Sequence, residues 1–377
     1  MKAIIEQNLD RLKREGNLRA IPSATSGCKL IDFSSNDYLG IAANEELRCE
    51  FFATHNAADL LMSASASRLL ARTQSAFDDF EALLRKVYGR EALLFNSGYH
   101  ANVGLVSALA TADCTILADK LVHASIIDGI KLSGAPFERF RHNDVGHLTK
   151  LADKIVGQGR KPLIIVESVY SMDGDKAPLA EIIDVKRRCP GAILYVDEAH
   201  AVGVEGPSGL GLSFGLGDLG KHIDVIIGTL GKALGSAGAF ALTDKAIHDW
   251  AVNRARSFIF STALPPINIM WSKFVFEKSL GMDAERQHLK ELGRTLGAAL
   301  GNGSDSHIQP YMVGDPYGAV KMSGFLKEKG FEVLPIRTPT VPPGTDRLRI
   351  SLSASLRIED VEALAHSIKI YDDEQYI

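Results

Sequence analysis

A chain of 377 residues with 46% hydrophobic and 23% charged side chains is long enough for a large core, and about two domains are expected by length. Its net charge of −4 gives no electrostatic reason to expect nucleic acid or an anionic membrane as a partner. The four cysteines, Cys28, Cys49, Cys114 and Cys189, lie far apart without a C-x-x-C pair. That excludes a zinc ribbon or dithiol motif and fits free thiols in a reducing compartment.

The N-terminal MKAIIEQNLDRLKREGNLR has Ile4, Leu9 and Leu12 at helical spacing among alternating charges. It lacks the apolar core of a signal peptide, and no run of about 18 apolar residues occurs anywhere, so a cytoplasmic protein without membrane spans is expected. Leu30, Ile31 and Phe33 read as a short strand that breaks at Ser34-Ser35-Asn36-Asp37, residues that bond their own backbone in turns. A helix is expected from Glu45 to Asn56. A second starts at Ser75, with Phe77, Phe80, Leu83, Leu84 and Val87 on one face.

From Glu91 onward, short apolar runs at 92–95, 115–119, 162–168, 192–200 and 224–232 alternate with helical stretches. These runs are near-continuous in Val, Ile and Leu, as expected when helices cover both faces of a sheet. The alternation implies an α/β domain with a mostly parallel sheet and right-handed crossovers. FSTALPP (260–266) marks a boundary, followed by a helical stretch from Ile267 to Leu300. GFEVLPI, RLRISLSA and a last helix IEDVEALAHSIKIY read as a smaller α+β domain. The expected organisation is an N-terminal arm (1–38), a large α/β domain (39–262) and a small C-terminal domain (263–377).

Lys232 is the one charged side chain between Asp224 and Thr243, within DVIIGTLGKALGSAGAFAL. Burying a lysine is expensive, and desolvation lowers its pKa toward a neutral, nucleophilic amine. The alternative is a strand-end lysine whose head reaches water. Ligands bind outside the carboxyl ends of strands in open α/β sheets, so the polar residues at those ends form a search list. They are Ser97-Gly98-Tyr99, Asp119 to His123, Glu167 to Ser171, Asp197-Glu198-Ala199-His200, and Thr229 with Lys232. Each alone is weak: a glycine turn before a helix can hold an anion or be only a turn, and His123 can be a loop histidine. Asp197, after a buried run, needs a cationic partner.

DEAH at 197–200 also spells a helicase box, which requires an upstream phosphate loop. No Gly-Lys pair precedes residue 197, and the Gly231-Lys232 pair has Ile226 in place of the first glycine and Ala233 in place of Ser or Thr, which excludes that reading. No G-x-S-x-G elbow supports a serine hydrolase, and His142 and His147 in HNDVGH lack a third ligand, so no metal is expected. One cofactor suits all the strand ends: pyridoxal 5'-phosphate (PLP), an aldehyde with a phosphate and a pyridine nitrogen. A lysine takes the aldehyde, an aspartate the pyridinium, and a helix start the phosphate.

The blocks FSSNDYLG, SRLL, FNSGYHAN, HASIIDGI, HND, ESVYSMDGD, VDEAHAVGVEGPSGLG, GTLGKALG, FSTALPP and IRTPTVPPGT occur in one order along the chain. In these the sequence resembles the α-oxoamine synthases, fold-type-I PLP enzymes, over essentially its whole length. The resemblance implies that Lys232 holds the cofactor covalently and acts as general base. Asp197 pairs with the pyridinium, His200 and Ser171 bond the ring hydroxyl, and His123 stacks on the ring. Thr229 and the amides of Gly98 and Tyr99 take the phosphate, and Thr262 reaches the phosphate of the neighbouring subunit in a homodimer. Arg337 clamps the amino-acid carboxylate, a bidentate task suited to a guanidinium, and Asn36 lines the same end.

VDEAHAVG, GTLGKALGSAG and FIFSTALPP are most similar to the branch that condenses L-alanine with a pimeloyl thioester, carried by coenzyme A or an acyl carrier protein. Sibling branches use glycine or serine. Departures from the family pattern are SASASR (Ser63 to Arg68) where a glycine-rich GSGGSR is common, Ala71-Arg72 for Ser-Gly, and Phe77 and Leu356 in place of histidines. They bear on acyl preference and leave the cofactor set intact.

Overall fold

The computed structural model describes residues 1–19, 21, 30–71 and 75–375, without the side chain of Gln375; Cys28 and Arg72 lie outside the described residues. By compactness the chain forms two units: Met1–Tyr38 with Met172–Gly174 and Gln287–Ile377, and Leu39–Ser171 with Asp175–Arg286. The first unit begins with a helix, Lys2–Arg14, none of whose side chains is buried, and strand β1, Ile31–Asp32.

The second unit carries a seven-stranded sheet. Its strands in chain order are β2 (Glu91–Phe95), β3 (Cys114–Asp119), β4 (Phe137–Phe140), β5 (Lys161–Glu167), β6 (Ile193–Asp197), β7 (Val225–Thr229) and β8 (Ala239–Thr243). The spatial order is β2-β8-β7-β6-β5-β3-β4. Every pairing from β7 through β6, β5 and β3 to β4 is parallel, and β8 runs antiparallel between β2 and β7. All side chains of β3, β7 and β8 are buried, which is why those runs lack a polar alternation. The edge strand β4 escaped the sequence reading because Phe140 is its one buried residue and two of its four are charged.

Helix Gly98–Leu109 follows β2, and helix Ala124–Ser133 follows β3. The two approach closely at Gly129, where a Cβ would lie 3.0 Å from the Asn102 carbonyl and from Val106 Cβ. Leu105, Val106, Ile126 and Ile130 cover Leu93, Ile116, Ile165 and Ile227 of the sheet. This contact brings one helix start beside the ends of the central strands.

The stretch expected as one helix from 267 to 300 is two, Pro266–Ser279 and Asp283–Ala299. The first ends at Ser279, two residues before Gly281, and Arg286 donates to the freed carbonyls of Ser279 (2.8 Å) and Leu280 (3.4 Å), replacing bonds that a continuing helix would supply. The first unit resumes with β9 (Ile308–Met312), β10 (Phe331–Glu332), β11 (Leu334–Ile336) and β12 (Arg347–Ser351). β11, β12 and β9 form an antiparallel sheet, β1 pairs parallel with β10, and helix Ile358–Gln375 closes the chain. Cys49, Cys114 and Cys189 are free thiols, and among the described residues no helix is long and apolar enough to cross a membrane.

Candidate active site

The second unit contains Gly98, Tyr99, His123, Ser171, Asp197, His200, Thr229, Lys232 and Thr262; Asn36 and Arg337 belong to the first. β6 ends in Asp197, which is buried. Its Oδ1 accepts from the Ala199 amide at 2.9 Å, and Oδ2 accepts from Asn102 Nδ2 at 2.7 Å. Asn102 comes from the helix that follows β2. Its other amide hydrogen goes to Ser125 Oγ (2.9 Å), and its Oδ1 accepts from the Tyr195 hydroxyl (2.7 Å). Sequence reading gave Asn102 no role, although it stands in the block FNSGYHAN.

The same network reaches His123. His123 caps helix Ala124–Ser133: its Nδ1 accepts from the Ser125 amide at 3.2 Å and lies 2.7 Å from Ser125 Oγ. An Nδ1 that accepts from a backbone N–H carries no proton, so the ring is neutral. Burial lowers the His123 pKa and the Lys232 ammonium lowers it further, against an opposing pull from Asp197. One asparagine side chain thus orients a carboxylate directly and a histidine through a serine.

Lys232 follows β7 and is half-buried, with its Nζ 2.7 Å from Nε2 of buried His200. Beside Asp197 in the sheet register, Glu167 ends β5 and is 3% exposed. Burial and then the Asp197 carboxylate push Glu167 well up, while Lys232 and the His123 and Ser171 amides pull it part of the way back. Ser171, four residues on, is also buried.

Helix Gly98–Leu109 starts at Ser97, whose hydroxyl accepts from the His100 amide. A Cβ built on Gly98 would have Thr229 as its nearest neighbour, at 3.9 Å, so the helix start faces the end of β7. Such a start presents amide hydrogens and positive dipole to an anion. Tyr99 is half exposed, and its hydroxyl donates to Asp128 at 2.6 Å. Thr262 is exposed; it pairs with Ser67 in a β-bridge, and its carbonyl accepts from Asn96 Nδ2 at 2.6 Å.

In the first unit, Arg337 lines a cleft of about 230 Å³ with Asn17, Arg19, Ile336, Thr338 and Thr340. Burial lowers its pKa, and the Arg19 guanidinium adds to that. Asn36 instead accepts from Arg349 Nη2 at 3.0 Å and from the Tyr38 hydroxyl at 3.0 Å. Arg349 is a buried guanidinium on β12 that sequence reading passed over. Its signal was the alternation Arg347, Arg349, Ser351 against Leu348, Ile350, Leu352, which puts three polar side chains on one face of a fully buried strand.

The group required by these residues takes an amine, a buried carboxylate, a neutral ring and a helix start, and PLP fits that donor set. The description "Aminotransferase class I and II" matches residues 29–368. A Pasteurella multocida protein described as a "putative 8-amino-7-oxononanoate synthase" is 44% identical over 372 residues, covering 95% of this chain and 96% of its own. A Haemophilus influenzae protein of the same description is 42% identical over 374 residues, covering 96% and 98%. Among solved structures, a serine palmitoyltransferase from S. paucimobilis with a PLP–myriocin aldimine bound is 28% identical with a TM-score of 0.87, over 97% of this chain and 96% of that one. The 8-amino-7-oxononanoate synthase of Francisella tularensis is 27% identical with a TM-score of 0.74, over 92% and 99%. Relatives that run nearly end to end leave one assignment: the chain belongs to the aminotransferase class I and II family, and within it to the α-oxoamine synthases.

Proposed function

We propose that the protein is a PLP-dependent acyltransferase that joins L-alanine to a pimeloyl thioester. It releases 8-amino-7-oxononanoate, CO₂ and the free thiol, a step of biotin synthesis, with the acyl group on coenzyme A or a carrier protein. The observation that carries the reading is the Lys232 amine, held 2.7 Å from buried His200 at strand ends that also position Asp197. When bound, PLP supplies an aldehyde for an amine and a protonated ring that accepts an electron pair.

The remaining work falls to the chain's own side chains. Lys232 would anchor the cofactor, and its amine, when free, would take the proton from Cα. Asp197, fixed by Asn102, keeps the proton on the pyridine nitrogen. Neutral His123 would lie against the ring face, and His200 and Ser171 would bond the ring hydroxyl. The Gly98 and Tyr99 amides and the Thr229 hydroxyl take the phosphate. Arg337 and Asn36 bind the amino-acid carboxylate, and Arg349, which touches Asn36, is a second guanidinium for that task. The working form is a homodimer in which Thr262 serves the neighbouring copy's phosphate. Exposed Leu69, Leu70 and Phe260, close in sequence to the Ser67–Thr262 bridge, are apolar surface for such a partner to cover.

The relatives at 42–44% identity support alanine and the pimeloyl group. A second reading, a sibling that uses serine or glycine, is favoured by the higher TM-score of the serine palmitoyltransferase structure. Purified enzyme with pimeloyl-CoA and alanine, glycine or serine, followed by thiol release, separates the two. Fastest turnover with alanine is expected, and faster turnover with serine or glycine would overturn the substrate while leaving the class.

A further inference from the structure

His142 belongs to a polar cluster that the proposed reaction does not use. It follows the edge strand β4, and its ring lies between two carboxylates. Nδ1 is 2.9 Å from Asp119 Oδ1, and Nε2 is 2.8 Å from Asp175 Oδ2. Ionised carboxylates only accept, so both ring nitrogens must donate and the imidazole is a cation. Next to it, Asn143 takes a left-handed backbone (φ +51°), which aims its amide N–H at Asp119 Oδ2 (2.9 Å) and its side chain at Asp175 Oδ2 (2.7 Å). Asp119, at the end of β3, is fully buried and also accepts from the Leu121 amide at 2.8 Å.

Asp175 stands on the returning arm of a hairpin that leaves β5. The hairpin is closed by Tyr170 N–H to the Asp175 carbonyl (3.0 Å), Ala177 N–H to the Ser168 carbonyl (3.1 Å) and a Val169–Lys176 bridge. Its first arm is tied to the site, because the Ser168 amide donates to the Asp197 carbonyl at 2.9 Å. Ser171 follows on that arm. The Tyr170 ring packs edge-on against His142, with centroids 4.4 Å apart. The ends of β3, β4 and β5 are therefore joined through one imidazolium, and the returning arm of the Ser171 hairpin is held by that ion pair.

We propose that His142 is a cationic positioning residue that, through Asp119 and Asp175, fixes the hairpin carrying Ser171 and so aims that hydroxyl at the cofactor. The proposal rests on the PLP reading for its link to Ser171; the clasp itself does not. Burial lowers the His142 pKa, but the two carboxylates outweigh it and raise it to about 10.

The clasp is tested in protein labelled with ¹⁵N-histidine at pH 8. Two ring N–H signals assigned by His142→Asn are expected, and a neutral ring would overturn the clasp. The link to Ser171 is tested by titrating apo-protein with PLP in His142→Asn, Ser171→Ala and the double variant, well below their melting temperatures. His142→Asn is expected to weaken PLP binding about tenfold, the loss of one charged hydrogen bond's worth of placement, and to add nothing once Ser171 is alanine. A double variant weakened by the product of the two single effects would overturn positioning and leave only a structural tie. Asp175→Asn keeps the fold's hydrogen-bond acceptor and serves if His142→Asn does not fold; the same non-additivity with Ser171→Ala is expected. Wild-type protein that takes up no PLP would overturn the proposed function and the Ser171 link with it, whereas the ring N–H signals judge the clasp independently.

Discussion

Glu198 offers a stability prediction whose size follows from its surroundings. It is fully buried, directly after Asp197, and its Oε1 accepts from the Ser213 amide at 2.9 Å. Oε2 lies against Gly211, whose backbone is left-handed (φ +97°) and where a Cβ would come within 1.9 Å of that oxygen. Burial raises the carboxyl from 4.5 to about 7, with the Ser213 amide and the Ser213 and Ser168 hydroxyls pulling it part of the way back. Below pH 4.5 the group is protonated in both states and does not affect stability's slope. Between about 4.5 and 7 the unfolded chain releases the proton while the folded one keeps it, so stability falls as pH rises. The full loss is about 3 kcal/mol, of which a little over 2 kcal/mol falls between pH 5 and 8.

Glu198→Gln has no proton to release and removes this slope. Urea unfolding followed by far-ultraviolet circular dichroism, run on both proteins at pH 5, 6, 7 and 8, measures the difference, and all shared titrations cancel. The variant is expected to gain on the wild type by about 2 kcal/mol across that range, whatever its offset at pH 5. Profiles that stay parallel within about 0.5 kcal/mol would refute a carboxyl held near neutrality, because linkage then allots it no proton difference.

Lys232→Ala is expected to abolish thiol release from pimeloyl-CoA and alanine, since anchor and base are both lost; near-normal turnover would remove Lys232 from the reaction. Arg349→Ala and Arg337→Ala divide the carboxylate task between them. If Arg349 shares it, its variant raises KM for alanine about tenfold or more while PLP absorbance stays, and an unchanged KM assigns the task to Arg337 alone. Ser65 holds φ +52° within SASASR, where a glycine is common in the family, so Ser65→Gly should stabilise the protein by about 1 kcal/mol in thermal melts. A lowered melting temperature would show that its contact with the Ser63 hydroxyl outweighs the strain.

The sheet was legible because buried parallel strands are runs of Val, Ile and Leu, and the ends of those runs are where candidate cofactor residues were sought. β4 was not, since an edge strand with one buried side chain leaves no apolar run. The break between Ser279 and Asp283 was hidden because Gly281 alone is a weak stop, and the arginine that takes the loose carbonyls stands in the next helix. Asn102 and Arg349 were missed for one reason: both bond partners far away in sequence, Asp197 in one case and Asn36 in the other. The sequence reading set His142 and His147 aside as metal ligands for want of a third, without finding what His142 does bond. Its ring is occupied by Asp119 and Asp175, 23 and 33 residues away, and His147 is turned to the Arg141 amide.

His123 and His142 show what decides a histidine's chemistry in this fold. Both follow strands of one parallel set, after β3 and β4, and nothing in HAS or HND distinguishes their charge. At His123 the backbone amide of Ser125 donates to Nδ1, its hydroxyl lies closer still, and Lys232 is a neighbouring cation, so the ring is neutral. At His142 two acceptors confront both nitrogens, so the ring is a cation and its edges are fully engaged. A neutral face suits contact with a cofactor, and a doubly bonded cation suits holding loops in place. The carboxylates are sorted by the same rule. Asp119 and Asp175 share the single positive charge of His142, whereas Asp197 receives neutral donors from Asn102 and Ala199. A buried aspartate supported by neutral groups is a site prepared for a positively charged ligand, which is the character the proposed pyridinium would have.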